Sequence, residues 1–208
     1  MLVDCYGRDA WRVKVATGSM RLRARRGLYL NNPFAGALRP PYVRTFTMPQ
    51  KIIPNLWFDT EAEEAAGFYT SVFGDSRIVN VTHYTEAGPR PAGTVMTVEF
   101  ELEGQRFIGI NGGPEFSFDE AISLLVNCAD QDEVDYYWER LLEGGEEGQC
   151  GWLKDRYGLS WQVVPTGMEE LFADPDKSRA ERAMKAMLGM RKIDLAALRG
   201  AADGAPVD

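Results

Sequence analysis

Residues 51–69 read Lys51-Ile-Ile-Pro-Asn-Leu-Trp-Phe-Asp-Thr-Glu-Ala-Glu-Glu-Ala-Ala-Gly-Phe-Tyr69. Within this passage the apolar period changes from two to about 3.6. Over residues 51–58 the alternation of a strand puts Ile52, Leu56 and Phe58 on one face and Ile53, Asn55 and Trp57 on the other. Thr60-x-x-Glu63 has the spacing of a capping box, which predicts a helix start. Ala62, Ala65, Ala66, Tyr69, Val72 and Phe73 then form one apolar stripe, and Gly74 suits its end. Strands are predicted over 77–85, 94–103 and 106–111, with a loop at 87–93 and a tight turn at Glu103-Gly104-Gln105.

The pattern then restarts. Residues 121–128 read as a strand, Asp130-x-x-Glu133 offers a second cap, and Val134, Tyr137, Trp138, Leu141 and Leu142 form a helical stripe ending at Gly144-Gly145. Shifted by 72 positions, Ala62, Ala65, Ala66 and Tyr69 fall on Val134, Tyr137, Trp138 and Leu141. A strand near 151–154, the turn Asp155-Arg-Tyr-Gly158 and a strand over 159–165 complete the second unit. Two strand–helix–strands modules, one over 51–111 and one over 121–165, argue for a paired domain rather than a solenoid. Asp174-Pro175 has N-cap and first-turn chemistry. It opens C-terminal helices over 174–200, with Ala180, Ala183, Met184, Met187 and Leu188 on one face and a short second helix over 194–199.

The charge is unevenly spread over the 208 residues, whose formal total is −8. Residues 1–47 carry nine Arg and Lys against Asp4 and Asp9, a balance of +7, and the remainder carries 14 basic against 29 acidic side chains, −15. The first segment shows no sustained period. It suits a transit peptide, a nucleic-acid-binding arm built on Arg21, Arg23, Arg25 and Arg26, or a stretch that is disordered or not native, with Met48 as the natural start. The last is preferred because Met48-Pro-Gln-Lys51 stands directly before the first convincing strand. The globular part is therefore taken as residues 48–208, whose −15 charge speaks against nucleic acid. No run approaches the ~20 apolar residues of a membrane span. Three cysteines are too few for a disulfide scaffold and indicate a reducing, cytoplasmic setting. The single histidine, His83, excludes any two-histidine metal motif.

Asn55-Leu-Trp-Phe-Asp59, Ala62-Glu-Glu-Ala-Ala-Gly-Phe-Tyr69, Asn111-Gly-Gly-Pro-Glu-Phe116, Cys150-Gly-Trp-Leu-Lys-Asp155 and Trp161-Gln-Val-Val-Pro165 together resemble the PhnB-like branch of the vicinal-oxygen-chelate superfamily. That superfamily includes glyoxalase and bleomycin-resistance proteins, and the branch is also catalogued as demethylubiquinone 3-methyltransferase-like. The resemblance covers about residues 50–200. It implies an α+β fold of paired βαβββ modules, each a half-open barrel with its helix outside, and a homodimer.

On that fold the alternation sorts residues by face. Ile53, Asn55 and Trp57 would line the cavity from the first strand, and Val95, Thr97, Glu99 and Glu101 from the third. Ser123, Leu125 and Asn127 would do so from the fifth, and Gln162 from the last. The superfamily's enzymes hold a divalent ion with His, Gln and Glu side chains at inward positions. Here those positions fall on Ile53, on Asn111 or Gly109, on Ala121 or Ser123, and on Gln162. None is an imidazole or a carboxylate, so no metal and no other cofactor is expected. Gly112-Gly113-Pro114 lies between strands and opens no helix, which does not fit a glycine-rich methyl-donor loop.

The expected ligand set is Asn55, Trp57, Thr97, Glu99, Asn111, Ser123, Asn127, Trp152 and Gln162, amides and hydroxyls to orient a small, partly aromatic molecule and indoles to stack on it. The competing reading is an enzyme of the same fold, metal-dependent or using Glu99 or Glu101 as a base raised by burial, with Cys150 near Lys154 and Arg156 as a possible reactive thiol. The ordinary expectation for the carboxylates is a solvated strand face, and for Cys150 a packed small hydrophobe.

Overall fold

A computed structural model describes residues 50–205, and the reading of residues 1–47 lies outside them. The first module runs β1 (Asn55–Phe58), α1 (Ala62–Val72), β2 (Ser76–His83), β3 (Val95–Leu102) and β4 (Gln105–Asn111). The second runs β5 (Leu124–Cys128), α2 (Gln131–Leu142), β6 (Glu146–Glu147), β7 (Trp152–Lys154) and β8 (Ser160–Pro165). The sheet orders are β1-β4-β3-β2 and β5-β8-β7-β6, so the repeat read in the sequence is a repeat of topology. In each sheet the first strand pairs parallel with the last, and the remaining pairs are antiparallel. Neither sheet closes into a barrel, as expected for half-open modules.

The hairpin between β3 and β4 has a two-residue loop, Glu103-Gly104, with φ of 49° and 82°. Two successive positive φ values are what the twist of a tight hairpin asks for. The strand starts differ from the sequence reading. β1 begins at Asn55 and not Lys51, because Pro54 has no N–H to place in the ladder. Ile52, expected against the helices, is 87% exposed. β5 begins at Leu124 and not Ala121, leaving Ile122 exposed.

The predicted helical stripe is the core. Ala62, Ala65, Ala66, Tyr69 and Val72 of α1 are buried, as are Val134, Trp138 and Leu141 of α2. They share one cluster with Val98, Phe100, Phe107, Trp161 and Val163 from both sheets, so the two modules are joined through a common core. The capping box Thr60–Glu63 does not form. The Ala62 N–H is instead received by Asn111 Oδ1 of β4 at 2.8 Å. The second cap does form: Asp130 Oδ1 accepts from the Glu133 N–H, and Glu133 Oε2 from the Ala129 N–H.

Three helices follow: α3 (Met168–Phe172), which the sequence reading lacked, α4 (Lys177–Leu188) and α5 (Leu195–Ala202). The cap of α4 is Asp176, two residues after the expected Asp174, which instead accepts from the Asp176 N–H and from Arg179. Ala183 and Met187 are buried as expected, whereas Leu188 is exposed. These helices make a second, smaller core of Met168, Ala186, Met187, Ile193, Leu198 and Ala201, closed against the first turn of the last hairpin by Cys150.

Candidate functional site

Strand register decides which side chains share the sheet face away from the helices. In the first sheet Asn55, Ile108, Glu99 and Asn80 form one row, and Trp57, Ile110, Thr97 and Thr82 the next. Arg77, Glu101 and Arg106 form a third. Of the residues expected on this face, Asn55, Trp57, Thr97, Glu99 and Glu101 share it in register, whereas Ile53 precedes β1 and Val95 packs against the core. Thr82 and Thr97 share a hydrogen bond of 2.6 Å across the strands. Glu101 is ion-paired to Arg77 at 2.5 Å and Glu99 to Arg106. Each arginine engages one carboxylate oxygen, a strand-face ion pair that by itself assigns neither glutamate a role as base. Asn55 is exposed and donates to the Ile53 carbonyl. His83 ends β2 at the surface.

Asn111 is on the other face. It pairs with Phe58, one of the core residues, and is 4% exposed. Its Oδ1 takes the Ala62 N–H and its Nδ2 donates to the Val95 carbonyl at 3.1 Å. Asn111 is therefore a helix cap supplied by a neighbouring strand, with both polar atoms of its amide engaged within the chain. Gly109 also faces the helix, where a Cβ would stand 3.1 Å from the Ala62 methyl. The β4 positions on the open face are Ile108 and Ile110.

Trp57 is half-buried at one end of this face. Its Nε1 donates to the Gly113 carbonyl at 2.8 Å, and its ring meets Phe116 edge-on at 5.1 Å. A Cβ on Gly112 would come within 2.1 Å of the indole, so the glycine is what admits the ring.

In the second sheet Leu125, Gln162 and Trp152 share a row, and Asn127 pairs with Val164. Gln162 is buried and donates to Ser123 Oγ at 2.7 Å, so these two candidates satisfy each other. Trp152 packs on the smaller core. Cys150 is buried in that core with φ of 58°, the packed position of the ordinary expectation and not the exposed setting of a reactive thiol. The nine candidates thus lie on two separate sheets, and no single cavity collects them.

A residue the sequence reading missed lies between the modules. Asp155 is 3% exposed and accepts four hydrogen bonds. Tyr69 Oη and Trp161 Nε1 reach Oδ2 at 2.7 and 2.8 Å, and the Tyr157 and Leu159 N–H groups reach Oδ1 at 2.8 and 3.1 Å. Burial pushes its carboxyl above the ordinary value, opposed by those four donors. The signals available in the sequence are an aspartate at the head of a turn, Asp155-Arg-Tyr-Gly158, and at the end of the family-like stretch Cys150-Gly-Trp-Leu-Lys-Asp155, and neither reveals its buried partners.

A metal of the superfamily's kind does not fit these residues. The face positions of β1, β4, β5 and β8 offer amides, an indole and alkyl groups (Asn55, Trp57, Ile108, Ile110, Leu125, Asn127 and Gln162). Divalent transition metals need about three imidazole, thiolate or carboxylate donors. Among the described residues no cluster of three such side chains exists.

The paired βαβββ modules, with an open face on the first sheet and helices in a shared core, define a vicinal-oxygen-chelate fold of the PhnB-like kind. The chain belongs to the family described as 3-demethylubiquinone-9 3-methyltransferase, whose model matches residues 50–164. It is similar to a putative 3-demethylubiquinone-9 3-methyltransferase, a PhnB protein from Bacillus cereus, at 39% identity over 56% of this chain and 100% of that one, with a TM-score of 0.52. It is also similar to protein PA1353 from Pseudomonas aeruginosa, at 20% identity over 56% of this chain and 97% of that one, TM-score 0.47. A fosfomycin resistance protein, FosX, from Listeria monocytogenes matches at 15% identity over 57% and 94%, TM-score 0.40. No curated protein matches the chain.

Proposed function

We propose that the chain binds a small, partly aromatic molecule without a metal, on the polar face of its first sheet and the exposed Leu125–Asn127 edge of its second, and that it works as a homodimer in which each copy covers these surfaces of the other. The observation that carries this is the first sheet's face. It presents Thr82, Thr97, two arginine–carboxylate pairs and a half-buried indole, held in place by bonds within the chain. Such a face suits hydrogen-bonded orientation with a stacking wall. Both of its carboxylates are paired with arginines and no metal set is present among the described residues, so binding is favoured over turnover.

The methyltransferase name of the family is not adopted for the activity. The strand-to-helix turns at residues 59–61 and 129–130 contain no glycine, and Gly112-Gly113 sits under Phe58, whose carbonyl accepts both N–H groups. A methyl-donor loop would place its glycines at a helix start.

The test is thermal-shift screening of the full chain with small aromatics and divalent ions, alongside its mass in solution by light scattering. A ligand at ~100 times its dissociation constant should stabilise by about 2.7 kcal/mol. Stabilisation by an aromatic but by no ion, in a dimer of twice the chain mass, is expected. A stoichiometric ion in protein purified without chelators would overturn the metal-free reading.

A further inference from the structure

Apart from the open faces, the structure holds a cleft of about 540 Å³ where the hairpin end of the first module meets β5 and α2 of the second. This is within the range of small-molecule sites. Its floor is aromatic: Phe73 stacks on Tyr137 at 5.2 Å and 24° and on Trp161 at 5.5 Å and 25°. Leu125, 45% exposed, forms one wall, and the Asn127 amide stands beside it. Glu103 is the charged residue that lines it.

Glu103 is notable in two respects. It occupies the first left-handed position of the hairpin turn, at φ 49°, where glycine, asparagine or aspartate is the easy choice. It also has no ion pair among the described residues. Conformational strain kept at a cleft mouth is the kind of outlier that points to a role. Its carboxylate is close enough to Tyr137 to help burial push that phenol up.

We propose that this cleft binds an aromatic or aliphatic amine in its cationic form, the apolar body on the Phe73–Tyr137–Trp161 floor and the ammonium at Glu103. Aromatic faces and a carboxylate both attract a cation, and both would disfavour an anion of the same shape. A neutral alcohol could give Glu103 a single hydrogen bond, which an amide oxygen would also accept, but no ion pair. The site adds to the one proposed on the sheet faces and shares with it only Leu125 and Asn127 of β5.

The test is calorimetric titration of the full chain at neutral pH with three probes of similar shape: 2-phenylethylamine, 2-phenylethanol and phenylacetate. The amine should bind at least tenfold more tightly than the other two. Glu103→Gln should abolish that preference while leaving the alcohol's affinity within about twofold, and Leu125→Arg should weaken the amine tenfold or more. Equal affinities, no binding of any probe, or a preference that survives Glu103→Gln would each overturn the proposal. Binding lost in Trp57→Ala but unchanged in Leu125→Arg would give the probe to the sheet face, sinking the cleft and sparing the sheet-face reading. A dimer weakened by Leu125→Arg, with no probe bound, would assign the cleft to a second copy of the chain and equally overturn it.

Discussion

Tyr69 Oη of α1 donates to Asp155 Oδ2 across the boundary between the two modules, at 2.7 Å, with both groups buried. The bond ties the helix of the first module to the last hairpin of the second. Since Trp161 Nε1 donates to the same oxygen, one carboxylate couples three elements. Tyr69→Phe should therefore cost about 1–3 kcal/mol, the range for a buried charged acceptor that loses a donor.

The pH dependence of that cost has a definite sign. Asp155 carries a carboxyl raised above its unfolded value by burial, so its folded state holds the proton more tightly. Its contribution to stability is then largest in acid and falls as pH rises from the ordinary carboxyl range, about 4, through the raised folded value. Losing the Tyr69 donor should raise that value further. Urea melts of the wild type and Tyr69→Phe should diverge as the pH rises from the ordinary carboxyl range, about 4, through the raised folded value. A constant gap over that window would show that the hydrogen bond does not discriminate between the two forms of Asp155.

Asn111 gives a second prediction. Its amide joins the first N–H of α1 to the Val95 carbonyl, so Asn111→Ala leaves two buried backbone groups unpaired and should cost about 2–4 kcal/mol. Asn111→Asp keeps the acceptor for Ala62 but turns an oxygen towards the Val95 carbonyl, and should be nearly as destabilising. Ligand affinity measured well below the melting temperature should change in neither variant beyond about twofold. A large affinity loss with stability intact would restore Asn111 to the ligand set.

Why Asn111 was misplaced explains how far the sequence was legible. The module repeat and both core stripes are readable because they rest on period and on the alternation of apolar residues. That alternation sorted β3 correctly, with Val98, Phe100 and Leu102 buried. The family resemblance, which puts an inward position of the fourth strand on Asn111 or Gly109, and not strand alternation, brings Asn111 into the candidate set. Register with Phe58 puts it on the helix side instead, where its amide replaces the Thr60–Glu63 cap. Asp155 was missed for the same reason. A buried polar group is defined by its partners, and Tyr69 lies 86 residues away. The candidate site was legible residue by residue on β1, β3 and β5, but not as one cavity, because strand alternation does not say how two sheets face each other.

Cys128 supplies a third prediction. Its thiol is fully buried and pushed up to about 12, chiefly by burial and then by the Glu133 carboxylate. At pH 8 roughly one thiol in 10⁴ is then ionised, against about one in four for an exposed cysteine. Peptide mapping after iodoacetamide at pH 8 should find Cys128 unmodified in the folded protein and modified within minutes in denaturant. Comparable labelling in both states would show that the strand end opens readily.

The last prediction concerns Gly112 and Trp57. The backbone at Gly112 lies against the indole face, with no room for a methyl group. The indole N–H is committed to the Gly113 carbonyl. Gly112→Ala should displace Trp57, break that bond and cost about 2 kcal/mol or more through overpacking. Trp57→Ala removes the obstruction, so Gly112→Ala made in that background should cost little. The coupling between the two changes should therefore be large, about 1–3 kcal/mol, read from denaturation midpoints in a double-mutant cycle. Additive costs would mean that the glycine is required for the chain's path out of β4 and not for the indole. In that case Trp57 would be free to move, and its place as the stacking wall of the proposed sheet-face site would lose its structural support.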